Sequence, residues 1–151
     1  MIEVDVAGLP AEGSDAGARG FVGISFRTSD DGSKYECFWI RPTNGRADNQ
    51  LRRNHSTQYA SYPEYPWNRL RQESPGVYES YADLEAGVWT KLKIVVDGVH
   101  ARLFINGAAQ PALVVNDLKH GVTEGKVGLW IGSEADAYFS NLKITPAASP
   151  R

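Results

Sequence analysis

"WTKLKIVVDGVHARLFING", residues 89–107, carries the clearest strand signal in the chain. Leu92, Ile94 and Val96 fall at every second position, and so do Ala101, Leu103 and Ile105 beyond Asp97-Gly98. A period of two is that of a strand with one buried face. Asp-Gly between two such runs is a strong hairpin signal, because a tight turn needs positive φ at its centre and these residues tolerate it. The stretch therefore predicts an antiparallel hairpin with one apolar face.

The same pattern recurs outward from it. Downstream, "GKVGLWIG" offers Val127, Leu129 and Ile131 as an inward face, and "AYFSNLKIT" follows as a further strand. Upstream, "MIEVDVAG" alternates Ile2, Val4 and Val6 with Glu3 and Asp5, and "FVGISFRT" alternates Val22, Ile24 and Phe26 with Gly23, Ser25 and Arg27. "DDGS" reads as the turn into "YECFWIR", where Phe38 and Ile40 share one face and Trp39 and Arg41 the other. "VYESYADL" reads as a strand as well, and Trp89 as core. No segment sustains a helical period. Many short antiparallel strands with Gly and Asn turns predict an all-β, two-sheet antiparallel jelly-roll sandwich with one long irregular loop insertion.

That insertion runs over 41–76. Strand periodicity stops from Pro42 to about Pro75, and Pro63, Pro66 and Pro75 argue an irregular path. Loops beyond about 12 to 15 residues in a compact domain are usually functional or disordered. Disorder fits poorly, since it would strand Tyr59, Tyr62, Tyr65 and Trp67 in water. The insertion should pack down onto the polar sheet face. The segment 41–71 holds six arginines (41, 46, 52, 53, 69 and 71) and no lysine.

With 151 residues the chain is one domain long, expected to span 1–145 with a small polar tail at 146–151. A hydrophobic share of 42% against 23% charged residues is that of a globular protein, and no apolar run approaches the roughly 20 residues that cross a bilayer, so no membrane is expected. The formal charge of −2 gives no global pull toward nucleic acid. Phosphate tracking usually recruits Lys and Arg together, so the all-Arg set argues against a nucleic-acid partner too. Cys37 is alone, which excludes an internal disulfide and a cysteine-based zinc site. No metal-ligand spacing and no cofactor motif appears; Gly-x-Ser-x-Gly, phosphate-loop, dinucleotide and EF-hand patterns are missing. Neither metal nor cofactor is expected. A strand that begins at the first residues leaves no room for a signal peptide, and points to a domain cut from a longer precursor with neighbouring domains, secreted or periplasmic.

The order "GVWTKLKIVVDG", "ARLFING", "GKVGLWIG", "AYFSNLKI" resembles the closing strands of concanavalin A-like and laminin G-like jelly rolls, and more closely the bacterial 3-keto-disaccharide hydrolase domains, formerly a family of unknown function. The resemblance covers nearly the whole chain and implies a carbohydrate site on the concave face of one sheet, for an oligosaccharide or polysaccharide. The residues suit it. Sugars are recognised by aromatic rings against the C–H face of the pyranose and by planar Arg, Asn and Gln groups on the hydroxyls. Of sixteen aromatics, ten lie between Tyr35 and Trp89. The expected ligand contacts are Arg27, Trp39, Arg41, Arg46, Arg52, Arg53, Asn54, Gln58, Tyr59, Trp67 and Trp130. Fixed bidentate arginines suit an anionic sugar such as a uronic acid.

The alternative is a glycoside hydrolase or lyase, for which two carboxyl groups roughly 5 to 10 Å apart are needed. Glu36, Glu79 and Asp83 are the candidate acids, with His55 as a proton-transfer group. Glu134-x-Asp136-x-Tyr138 resembles the Glu-x-Asp-x-Glu strand of certain glucanases but ends in a tyrosine, so it is read as a solvated strand start. A third reading is a protein-interaction domain, since Arg, Tyr and Trp are also enriched at protein interfaces.

Overall fold

The computed structural model describes residues 1–147. The expected tail 146–151 therefore lies mostly outside the described residues. Among the described residues, ten strands form two five-stranded antiparallel sheets. In chain order they are β1 (Ile2–Pro10), β2 (Val22–Thr28), β3 (Tyr35–Ile40), β4 (Thr57–Tyr62), β5 (Glu79–Ser80), β6 (Thr90–Asp97), β7 (His100–Ile105), β8 (Leu113–Val115), β9 (Lys126–Ile131) and β10 (Ala135–Ile144). The first sheet has the order β10-β1-β6-β7-β8 and the second β5-β4-β3-β2-β9.

The predicted hairpin is β6–β7. Leu92 pairs with Ile105, Ile94 with Leu103 and Val96 with Ala101. Gly98 holds φ at +61° in the turn, as the Asp-Gly signal requires. The inner faces of the two sheets meet in one core: Val4, Val6, Leu92, Ile94 and Leu103 oppose Val22, Ile24, Phe38, Ile40 and Tyr59, all buried. A fully buried Leu or Ile contributes roughly 1.5–3 kcal/mol over an exposed one, so this face is what holds the sandwich together.

Four expectations need correction. The 41–76 excursion is not irregular throughout. It contains strand β4, which pairs with β3 along its whole length, a short 3₁₀ turn at Pro42–Asn44, and helices α1 (Gln50–Asn54) and α2 (Trp67–Glu73). "VYESYADL" supplies only the two-residue edge strand β5. Trp89 is not core but 54% exposed, at the end of the turn that enters β6. Leu129 and Ile131 do share a face with Ile24 and Val22 across β2, yet remain 54% and 52% exposed, because β9 is an edge strand with nothing beyond it in the second sheet.

Asn49 caps α1: its side-chain oxygen accepts from the Arg52 N–H at 3.1 Å. The amphipathic stripe of α2 is reduced to one residue, Leu70, buried where the helix lies against β4. These short elements sit on the outer face of the second sheet, and that arrangement creates the site.

Candidate functional site

The parity of β3 sends Trp39 to the outer face of the second sheet, opposite to Phe38 and Ile40. Its cross-strand partners are Gly23 on β2 and Gln58 on β4, and Gly23 in turn pairs with Trp130 on β9. With no side chain at Gly23, Trp39 and Trp130 stack over it, ring centroids 4.4 Å apart and planes within 11°. A Cβ there would lie 2.7 Å from the Trp39 Cβ and 2.0 Å from the Phe38 carbonyl oxygen. Phe21 extends the stack, 6.3 Å from Trp39. The outer face is thus aromatic, as the parity of Trp39 predicts, and Trp130 lies on it as well.

Arg41, at the end of β3, lies on this layer. Its guanidinium is 4.9 Å from the Phe21 ring centroid, 5.5 Å from Trp39 and 5.9 Å from Trp67. It donates to the Gln58 side-chain oxygen at 2.9 Å, to the His55 carbonyl at 3.0 Å and to Glu79 at 3.3 Å. Glu79, brought alongside Gln58 by the β4–β5 pairing, also accepts from Nε and Nη2 of Arg71, with Nε 3.0 Å from Oε2. His55 Nε2 stands 3.6 Å from Glu79 Oε2.

Between these groups and the 11–21 connection lies a pocket of about 260 Å³. Arg19, Arg41, Arg52 and Arg71 line it with His55 and Asn44, and the rings of Phe21 and Trp67 form its apolar walls. No carboxylate is in the lining; Glu79 sits just behind it. Among the described residues, Arg41 and Arg71 pair with Glu79, while Arg19 and Arg52 have no carboxylate partner. Arg52 is held by neutral acceptors, the Asn44 amide oxygen at 3.2 Å and the Thr43 carbonyl at 3.3 Å, and Arg19 by the Ala16 and Ala18 carbonyls.

Burial is the main influence on the ionisation of these groups, with the neighbouring charges acting second. Burial pushes Arg41 down to about 10, with Glu79 opposing and Arg71 adding to the fall. Burial and then the Arg52 charge lower Arg19. His55 is lowered by burial first, while the attraction of Glu79 is countered by Arg71 and Arg41. A neutral imidazole among cations and a set of partly desolvated guanidiniums can hold a carboxylate, sulfate or phosphate through paired N–H donors.

The candidates divide clearly by position. Arg41, Arg52, Trp67 and His55 meet in the pocket; Trp39, Trp130 and Gln58 do not line it, but Trp39 and Gln58 are buried against Arg41, and Trp130 stacks on Trp39. The others lie elsewhere. Tyr59 faces the core, where its hydroxyl donates to Glu36 and accepts from the Lys119 N–H at 2.9 Å. Glu36 is fully buried between the sheets, also accepting from Ser61 at 3.1 Å and from the His120 N–H at 3.0 Å, so it ties the 117–120 loop to β3 and β4. Asp83 is exposed and paired with Arg46 at 2.8 Å, and Arg46 also reaches Glu85. Arg27 leaves the expected face, because it adopts φ +48° at a register shift in β2 and its guanidinium donates to the Gly121 carbonyl. Arg53 rests on Tyr81, and Asn54 is bonded to Gln50 across α1.

Four lining residues escaped the sequence reading: Gly17, Arg19 and Phe21, from the Gly-rich connection between β1 and β2, and Asn44, from the 3₁₀ turn. Arg71 was in view only as one of a set. Nothing local in "GSDAGARGF" marks a site; only the fold brings it to β3.

A solved structure described as the carbohydrate binding module CBM66 from Bacillus subtilis is similar to this chain, with TM-score 0.52 and 12% identity, over 93% of this chain and 72% of that one. The fold is a jelly-roll sandwich. At that identity the likeness speaks for the fold alone. No family model matches the chain, and no curated protein matches its sequence.

Proposed function

We propose that this domain is a carbohydrate-binding module that takes an acidic saccharide in the arginine-lined pocket on the outer face of its second sheet. The observation that carries the reading is the lining itself: four guanidiniums and no carboxylate, beside the rings of Phe21 and Trp67. Arginine forks suit a carboxylate, and the rings suit the apolar face of a pyranose. The name of the structural neighbour, a carbohydrate-binding module, is consistent with this reading.

The hydrolase alternative, which goes with the resemblance to 3-keto-disaccharide hydrolase domains, draws less support. Glu36 lies between the sheets, Asp83 is at the surface with Arg46, and Glu79 is engaged by Arg41 and Arg71. These three carboxylates do not flank a common cavity, as paired acid and base would require.

Calorimetric titration with galacturonate, glucuronate and mannuronate, each against its neutral parent hexose, tests the proposal. Saturable binding of at least one acid, weakened about tenfold or more by Arg52→Ala and absent for the neutral sugars, is expected. Equal response to acids and neutral hexoses, or none to either, would refute it.

A further inference from the structure

Behind the arginine pocket opens a second, larger cavity of about 640 Å³, whose wall shares His55 and Arg71 with the first. The two are therefore adjacent, with those side chains lining both. Their chemistry differs. The second is lined by the ring of Tyr81, by Leu51 and by Pro75-Gly76, with Asn54, Ser80 and Glu79 as polar groups. That is apolar surface plus scattered neutral donors and acceptors, with one carboxylate, where the first pocket offers a concentration of positive charge.

Tyr81 is the notable member. It is 45% exposed and contacted by Arg53. The Arg53 guanidinium sits 5.2 Å from the ring centroid and its NH2 donates to the Tyr81 hydroxyl at 3.3 Å. An aromatic ring braced from one side and open to solvent loses little conformational freedom when a sugar lies on it. Asn54, whose side-chain oxygen already accepts from Gln50 at 2.7 Å, keeps its amide N–H₂ for a hydroxyl.

We infer that this cavity is a second saccharide subsite, so that the domain binds two linked residues of an acidic oligosaccharide: one charged residue at the four arginines and its neighbour stacked on Tyr81. The inference rests on the acidic-saccharide reading above. It adds a place, a platform residue and a chain length to it.

Calorimetry with the monomers and the glycosidically linked dimers of galacturonate, glucuronate and mannuronate tests it, on wild type, Tyr81→Ala and Tyr81→Phe. For the acid that binds, the dimer should bind about tenfold more tightly than the monomer. Tyr81→Ala should return the dimer to the monomer's affinity without changing the monomer, and Tyr81→Phe, which keeps the ring, should retain most of the gain. Thermal unfolding of the two variants at the wild-type temperature checks that the fold is intact. A dimer no tighter than its monomer, or monomer and dimer weakened alike by Tyr81→Ala, would overturn the second subsite and leave the arginine pocket standing. Failure of every monomer and dimer to bind would remove the acidic-saccharide reading and the subsite with it.

Discussion

Glu79 shows how one residue couples stability to the site. Its carboxylate joins β5, β3 and α2 through Arg41 and Arg71, and its side chain is almost wholly buried. Removing one partner of a buried ion pair leaves the other charge uncompensated, which costs about 3–5 kcal/mol. Glu79→Gln should lower the unfolding free energy by an amount of that order in urea titrations; a change below about 1 kcal/mol would show that solvent already screens the cluster. His55 makes a prediction of opposite kind. Its folded-state value is depressed, so the unfolded chain binds the extra proton first as pH falls below the ordinary histidine value of about 6.5. Stability should therefore decline as pH drops through that window and level off once folded His55 is also protonated, and His55→Gln should remove this component from denaturation curves measured across pH. The same protonation adds a positive charge to the pocket, so affinity for an acidic sugar should rise over the same fall in pH while the sugar's carboxylate stays ionised. Trp39, Arg41 and Trp130 were legible at this scale, because strand parity alone sends them to the outer face. Glu36 was misread as a proton-transfer group: ionisable residues are so seldom fully buried that nothing in "KYECF" announces a hydrogen-bonding hub for Tyr59, Ser61 and His120.

Among the elements, β4 carries the lesson about legibility. Thr57–Tyr62 is a strand of the second sheet, yet "TQYASY" shows no alternation of apolar and polar residues. Period-two patterning needs one face in water. Here both faces are covered, by the opposite sheet on one side and by α2 on the other, and Thr57, Gln58 and Ser61 are buried with their polar atoms satisfied internally. The β6–β7 hairpin, wet on one side, was readable for the converse reason. Helix α2 is too short to show a period and is held by Leu70 and by the Arg71–Glu79 pair rather than by helix propensity. Leu70→Ala should cost about 2–5 kcal/mol and detach this cover from the sheet, so hydrogen exchange of the α2 amides should accelerate far more than that of β6 and β7. Uniform acceleration throughout the chain would mean that cover and sandwich unfold as one unit. At β2, Gly23→Val should unseat the Trp39–Trp130 stack, seen as a loss of near-ultraviolet dichroism from coupled indoles with the first sheet unaffected.

For the whole molecule, the division of labour runs between the two sheets. Strands β1, β6 and β7 of the first sheet and the inner faces of β2 and β3 in the second build the core from residues whose pattern is local, and they were legible. The outer face of the second sheet gathers Arg19 and Phe21, Arg41, Asn44 and Arg52, and Trp67 and Arg71, from segments separated by other strands. Such a site depends on the closure of the sandwich and leaves no motif in the sequence. The central claim is that these distant groups act together on one acidic ligand. Heteronuclear NMR of the arginine Nε–H and tryptophan indole resonances, followed while a binding uronate is added, tests it most directly. Saturable shifts concentrated at Arg19, Arg41, Arg52, Arg71 and Trp67 are expected, with Arg27, Arg46 and Arg69 unmoved. Shifts centred on those last three, or spread evenly over all arginines, would contradict it.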